Sequence, residues 1–211
     1  MIPIESVRTP WWKRTEDLLL GVPLSLLALP VLALVGLAIA AETGTPVFYV
    51  DERIGLGGRP FRVLKFRTMV RGALALGLGR LTAAGDPRIT RVGAFLRRWS
   101  LDELPQVLNV VRGDMSIVGP RPTYAEQVSR YTPRDAGRLR TKPGITGLAQ
   151  VSGRNDLSWR ARIDLDLEYI ERLGPWLDLE IIARTPFVVL RGVGLYGKTG
   201  VTPDYEPDET V

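Results

Sequence analysis

Charge disappears from the chain between residues 18 and 41, and this gap dominates the pattern of apolar and polar positions. Wound as a helix it would be about 36 Å long, enough to cross a hydrocarbon core of about 30 Å. Two features oppose a simple span. Pro30 divides the run into halves of roughly 16 to 18 Å, each about one leaflet deep, and leaves the Leu26 carbonyl without its helical partner. Cations also flank both ends, with Arg8, Lys13 and Arg14 before the run and Arg53, Arg59, Arg62 and Lys65 after it. The positive-inside tendency therefore draws both flanks to the cytoplasm. A spanning helix and a helix that enters, breaks and returns both remain open on these grounds. Trp11-Trp12-Lys13-Arg14 is the mixture of indoles and cations expected at a membrane-water boundary. A cleaved signal peptide fits poorly, because the apolar run is too long for an h-region.

Beyond the gap the pattern changes period. Residues 46 to 50 and 59 to 66 are β-rich runs around Gly55-Leu-Gly-Gly58, which predicts a hairpin with a glycine loop. Such a hairpin needs helices packed on it. Residues 70 to 87 are rich in Gly and Ala without clear period and read as a mobile loop. Ile89, Val92, Phe95 and Leu96 predict a short amphipathic helix over 88 to 99, and Leu101, Leu104, Leu108 and Val111 a central helix over 101 to 111, blurred by Pro105. A polar helix is expected near 123 to 140. Residues 159 to 169 alternate like a strand, yet Trp159, Ile163, Leu167 and Ile170 share a helix face and the run continues at helical length, which favours helix. Residues 176 to 191 suit an interfacial helix. The acidic end, 203 to 211, reads as disordered.

Composition removes whole classes of chemistry. The 211 residues include neither cysteine nor histidine. Disulfide scaffolds, thiolate metal sites, Ser-His triads and the commonest zinc ligand are thereby excluded. Any nucleophile, acid or base must be a carboxylate, lysine, tyrosine or hydroxyl. The formal charge is +5, and the acidic end hides a body more basic than that. Such a body suits an anionic partner: nucleic acid, lipid headgroups or a phosphorylated small molecule.

The candidate chemistry lies in residues 97 to 122. Asp102 and Glu103 stand side by side with Arg97, Arg98, Arg112 and Arg121 around them, which makes a plausible phosphate site with a nucleophile inside it. Ser100-Leu-Asp-Glu103 is equally a capping box, with Ser100 as N-cap. Arg121, fixed between Pro120 and Pro122, can present a planar fork to a phosphate.

Six ordered motifs resemble the bacterial sugar transferase family, the small monotopic phosphoglycosyl transferases. They are Lys65-Phe-Arg-Thr-Met69, Asp86-Pro-Arg-Ile-Thr90, Ser100-Leu-Asp-Glu-Leu-Pro-Gln106, Gly113-Asp-Met-Ser116, Gly119-Pro-Arg-Pro122, and Lys142-Pro-Gly-Ile-Thr-Gly147 continued by Gly153-Arg-Asn155. The resemblance spans roughly residues 13 to 198. It implies transfer of a sugar 1-phosphate from a UDP-sugar to a polyprenol phosphate such as undecaprenyl phosphate, with release of UMP, as the first membrane step of glycoconjugate or exopolysaccharide assembly. Asp102 would be the nucleophile of a ping-pong reaction and a ligand of Mg2+, and Glu103 an acid/base or a phosphate-positioning group. Arg121, Arg97, Lys65, Arg154 and Asp166 would bind phosphate or substrate. Asp166 and Tyr169 match a Leu-Asp-x-x-Tyr pattern that serves either site or scaffold.

The fold implied is α+β and mainly helical, with a re-entrant helix broken at Pro30, a β-hairpin packed on helices, and interfacial amphipathic helices. Its parts would be 1–45 for the interfacial and re-entrant segment, 46–202 for the catalytic domain and 203–211 for the tail. The chain would sit monotopically in one leaflet of the bacterial inner membrane, on the cytoplasmic face, with no nucleic acid partner. A homodimer is left open. One departure is that Leu29 precedes Pro30 where the family often has Ser. The rival readings are a membrane-anchored nucleotide-sugar hydrolase and a non-enzymatic basic binding module.

Overall fold

A computed structural model describes residues 9–76, 79, 81–192, 194–197, 199–200 and 204–205. Helix α1, Trp11–Thr43, takes up the whole uncharged run and stays helical through both Pro23 and Pro30, without the interruption expected at Pro30. Its 33 residues correspond to about 50 Å of helix. The hydroxyl of Ser25 donates to the Gly21 carbonyl at 2.6 Å. One narrow stripe, including Gly21, Ala28, Leu32, Gly36 and Ile39, is buried against the rest of the chain. Gly21 permits close approach, since a Cβ there would lie 3.3 Å from Val110 Cγ1. The other faces carry leucines such as Leu27 and Leu34, 74% and 68% exposed. The helix is long and apolar enough to cross a membrane, and the protein is membrane-associated.

Polar bonds tie both ends of α1 to the same body. At its start, Lys13 Nζ donates to Asp178 at 2.6 Å, Arg14 donates to the Val110 and Val111 carbonyls, and Asp17 accepts from Ser116 and the Ile117 amide. At its end, the Glu42 carboxylate accepts from the Arg91 and Val92 amides, and Arg67 donates to the Thr43 and Gly44 carbonyls. Arg14 and Glu42 thereby satisfy orphan groups at the ends of two other helices.

Strands β1, Phe48–Ile54, and β2, Pro60–Phe66, form the expected antiparallel hairpin, longer on its first arm than the β-rich run suggested. Helix α2, Arg91–Arg98, is capped by the Thr90 hydroxyl. Phe66, Leu96, Leu32 and Ile39 bury together, so hairpin, α2 and the second half of α1 share one core. The segment expected to be a mobile loop is tied down over its described part. Arg88 donates to the carbonyls of Ala73, Leu76, Gly79 and Leu81 and pairs with Asp86.

The central helix differs from its expectation. Residues Leu101–Gln106 form a 3-10 turn, and only Val107–Arg112 is α-helical, as α3. Pro105 and a left-handed Ser100 account for the tighter winding. Strand β3, Ser116–Val118, then pairs in parallel with β4, Gly144–Thr146. Between them the expected polar helix is absent; α4, Ala125–Val128, and a 3-10 segment, Asp135–Arg140, flank Pro133. Helix α5 is Leu148–Ser152. Residues Trp159–Glu171 are helix α6, started by a Ser158 cap, and α7 covers Pro175–Arg191. Two residues of the tail, Asp204 and Tyr205, lie among the described ones. Tyr205 is 2% exposed between Tyr131 and Trp159, and Asp204 binds Gln127 and Arg130. The remainder of 203–211 lies outside the described residues.

Candidate active site

Two glycine turns build the floor of the site by interlocking. The Gly119 amide donates to the Thr146 carbonyl, and the Gly144 amide returns a bond to Pro120, both at 2.9 Å. The strands cross so closely that a Cβ on Gly119 would lie 2.4 Å from the Lys142 carbonyl oxygen. This crossing fixes the turn that presents Arg121. Asn109, 1% exposed, fixes the opposite side, since its carboxamide accepts from the Leu64 amide and donates to the Arg62 carbonyl. It thereby locks α3, and the 3-10 turn before it, to β2 and Lys65.

Glu103 is fully engaged. Arg121 grips it with two bonds, at 2.5 and 3.1 Å, and Lys65 adds a third at 3.0 Å. Burial alone would raise its carboxyl, but Arg121 and Lys65 outweigh that and hold it well below the usual carboxylate range. Asp102 is the reverse case. Among the described carboxylates that line the cleft, it alone has no hydrogen-bond or ion-pair partner. Burial, with the charge of Glu103 second, pushes its carboxyl up to about 6, against the pull of Lys65, Arg97 and Arg121.

The capping box does not form. Ser100 has φ 55° and its side chain caps nothing; its hydroxyl instead accepts from Arg154 at 3.1 Å. Arg154 has φ 53°, so the only two non-glycine residues with left-handed backbone, among those described, touch each other beside Asp102. Strained backbone of this kind concentrates at functional sites.

Asp102, Glu103, Lys65, Arg97, Arg121, Arg154 and Asp166 all line one cleft of about 640 Å³. Arg97 is aimed by the Thr68 hydroxyl at 2.8 Å. Asp166 has a different environment from the substrate contact expected of it. It is 1% exposed and paired at 2.5 Å with Arg138, which also donates to Tyr131 and to the Arg121 carbonyl. It therefore supports the Arg121 turn from behind. Tyr169 is scaffold, bonded to Val118 and Asp178. Pro30 stays in α1, apart from the cleft.

Sequence reasoning missed Asn109, Arg138, Arg162, Gln150 and the ligand-facing side of Arg67. Arg162 Nη2, both polar atoms of Gln150, and Arg67 Nε and Nη1 are buried without a partner, and all three residues line the cleft. Buried polar atoms without partners are rare in a finished interior and mark places where a ligand or water completes the bonding. Burial also lowers Arg162 to about 10, with Arg121 and Arg138 adding to the effect.

Fold and site together define a membrane-associated protein that sets one unpaired carboxylate among cations in a single cleft. The chain belongs to the bacterial sugar transferase family, whose model matches residues 8–192. It is 38% identical over 198 residues to the exopolysaccharide production protein ExoY of Rhizobium meliloti, covering 87% of this chain and 88% of that one. It is 42% identical over 191 residues to the UDP-glucose:undecaprenyl-phosphate glucose-1-phosphate transferase of Caulobacter vibrioides, covering 87% and 71%. The UDP-galactose-lipid carrier transferase of Erwinia amylovora is 41% identical over 198 residues, and there the chain spans 41% of the longer relative.

Proposed function

We propose that this protein transfers a sugar 1-phosphate from a UDP-sugar to undecaprenyl phosphate or a similar polyprenol phosphate, releasing UMP and starting assembly of a glycoconjugate. The observation that carries this reading is the unpaired Asp102 carboxylate beside a fully paired Glu103. Lys65 and Arg121 act on both carboxylates and Arg97 on Asp102, but only Asp102 keeps its oxygens for a substrate.

The reaction divides into two displacements at phosphorus. An oxygen of Asp102 attacks the β-phosphorus of the UDP-sugar, the bond from that phosphorus to the bridging oxygen breaks, and UMP leaves with that oxygen. The product on the enzyme is an acyl phosphate joining Asp102 to the sugar 1-phosphate. A phosphate oxygen of the polyprenol then attacks the same phosphorus and Asp102 leaves as a carboxylate. Neither step requires a proton on the nucleophile, so the main task of the site is to stabilise negative charge. Arg121 has donors beyond the two it gives to Glu103, and its side chain is 43% exposed. Arg97, Lys65 and Arg154 add fixed positive charge around the same point.

The residues fit Mg2+ through Asp102. Its oxygens are open, whereas no group of three carboxylates converges among the described residues. A Mg2+ here would take its other ligands from the diphosphate and water, as this ion commonly does. When bound it would neutralise charge on the diphosphate.

The membrane placement supports the same reading. Both ends of α1 bind one body, and the leucines between them face outward, which favours a helix that dips into one leaflet on the cytoplasmic face of the inner membrane. The cleft then lies at headgroup level, where a soluble nucleotide sugar and a lipid phosphate can meet. The test is Asp102→Asn, assayed for UMP release and for a sugar-phosphate mass adduct on the intact protein. Loss of both is expected. Full retention of UMP release would refute Asp102 as nucleophile, and free sugar phosphate as the only product would refute transfer to lipid.

A further inference from the structure

The cleft has two walls of opposite character that meet at residues 97–103. One wall, on α5, α6 and the turn between them, is polar and includes Gln150, Arg154 and Arg162. The other, at the end of β2 and in the segment after it, is apolar and includes Phe66, Met69, Val70 and Leu74. Val70 and Leu74 are also 38% and 49% exposed, so this wall reaches the surface beside the C-terminal end of α1.

Two charged residues, Arg67 and Arg71, interrupt the apolar wall, Arg71 exposed and Arg67 buried. Arg67 is 8% exposed. Its Nη2 is taken up by the Thr43 carbonyl, the Thr43 hydroxyl and the Gly44 carbonyl at 2.6 to 3.1 Å. Nε and Nη1 have no partner, and no carboxylate pairs with this guanidinium among the described residues. A buried cation without a counter-ion is costly, and the deficit is removed when an anion binds. Arg67 follows the end of β2, two residues and about 7 Å along the chain from Lys65, and Thr68, next to Arg67, aims Arg97. An anion at Arg67 is therefore one step from the groups around Asp102.

We propose that Arg67 docks the phosphate of the polyprenol acceptor, with the first isoprene units lying along the apolar wall. The assignment rests on the two-substrate reading above. It separates the substrates: the nucleotide belongs to the polar wall, the lipid phosphate to Arg67. A phosphate monoester is the right chemistry because its anionic oxygens supply the counter-ion that this guanidinium lacks and a charge-assisted acceptor for a free donor. The chain's own membrane helix ends at this residue, so a lipid bound there keeps its tail on the bilayer side.

The experiment uses the full chain in phospholipid-free detergent, with a UDP-sugar that it turns over and undecaprenyl phosphate as probes. In ping-pong kinetics each substrate's kcat/KM reports its own half-reaction. Arg67→Gln should lower kcat/KM for the acceptor by about 10- to 100-fold, the effect of losing one or two charge-assisted hydrogen bonds. The donor kcat/KM should stay within about twofold. Arg67→Lys keeps a cation near the Thr43 and Gly44 carbonyls but loses the donors at Nε and Nη1, so it folds where Gln fails and should still lose acceptor kcat/KM. Arg172→Gln removes an exposed arginine outside the cleft and should leave both parameters unchanged. A fall in the donor parameter, equal falls in both, or no fall in either would overturn the assignment. So would a loss seen only in anionic vesicles, which would mean that Arg67 binds bulk headgroups. These outcomes are distinct from failure of the covalent mechanism, which Asp102→Asn reads separately.

Discussion

Replacing Glu103 with Gln should move the pH dependence of the first half-reaction toward acid. The Asp102 carboxyl stands at about 6 because of burial first and the Glu103 charge second. Glu103 is itself held far below the normal range by Arg121 and Lys65 against the effect of burial. It is therefore charged throughout pH 5 to 8 and acts on Asp102 at full strength. A neighbouring charge typically shifts a carboxyl by about 1 to 3 units. Since burial is the larger cause here, about one unit is the share expected for Glu103. The sign is fixed, because removing a negative neighbour makes Asp102 a stronger acid. Arg121 and Lys65, released in part from Glu103, push the same way. A nucleophilic carboxylate must be ionised, so donor kcat/KM should fall about tenfold per pH unit below its midpoint in the free enzyme. Wild type should have a midpoint near pH 6 and Glu103→Gln one near pH 5. At pH 5 each rate, relative to its own plateau, would rise from about a tenth to about a half. The assay is UMP release at limiting UDP-sugar across pH 4.5 to 8, with circular dichroism to exclude acid unfolding. An unchanged midpoint, or one moved toward base, would refute the electrostatic coupling of the two carboxylates.

Breaking the buried pair behind the site should cost stability before it costs binding. Arg138→Met leaves Asp166 charged and alone at 1% exposure, which should destabilise by about 3 to 5 kcal/mol in thermal or denaturant melts. The double variant Arg138→Met with Asp166→Leu should recover most of that loss; no recovery would mean that the pair acts through more than its charge. At the strand crossing, Gly119→Ala places a Cβ 2.4 Å from the Lys142 oxygen and should cost about 1 to 3 kcal/mol. Because Arg121 lies two residues on, donor kcat/KM should also drop at least about tenfold. Gly36→Ala, whose Cβ would meet only Val47 at an ordinary 3.7 Å, should leave donor kcat/KM unchanged.

The sequence made legible what depends on short-range pattern. The uncharged run announces α1, the β-rich runs around Gly55 to Gly58 announce the hairpin, and Arg121 between two prolines announces a rigid turn. In residues 159 to 169 alternation and helical spacing compete, and the helix prevails because Ser158 caps it and Ile163, Asp166 and Tyr169 all turn inward. Strands β3 and β4 were invisible because three residues apiece, buried or nearly so, carry no period. The 3-10 turn was invisible because Leu101, Leu104 and Leu108 fit an α-helix, and nothing local says that Ser100 takes a left-handed backbone to meet Arg154. Two of the remaining site residues, Asn109 and Arg138, acquire their roles from partners distant in sequence. Asn109 finds β2 some 45 residues back, and Asp166 finds Arg138 28 residues back. Such pairings are set by topology, which one sequence does not display.

The contacts of α1 support the proposed one-leaflet placement against the span that its length also allows. A helix of about 50 Å standing across the bilayer would place its two ends on opposite sides of a core about 30 Å thick. The same body would then have to bind Lys13 through Asp178 on one side and Glu42 through the Arg91 and Val92 amides on the other. It would carry the hairpin and α2 through hydrocarbon, with strand edges that no lipid can satisfy. Lying along the body, α1 keeps every one of these bonds and still offers its outward leucines to a leaflet. Because the chain has no cysteine, single cysteines report without background. Thr9→Cys before the helix and Arg59→Cys after it should both react with a membrane-impermeant maleimide in inverted inner-membrane vesicles, and neither in intact spheroplasts. Leu29→Cys, beside Pro30 and 55% exposed on the outward face, should be shielded in both preparations. If Thr9→Cys and Arg59→Cys label from opposite sides, the helix spans, its bonds to the body at one end are absent in the membrane, and the one-leaflet placement of the cleft fails with them.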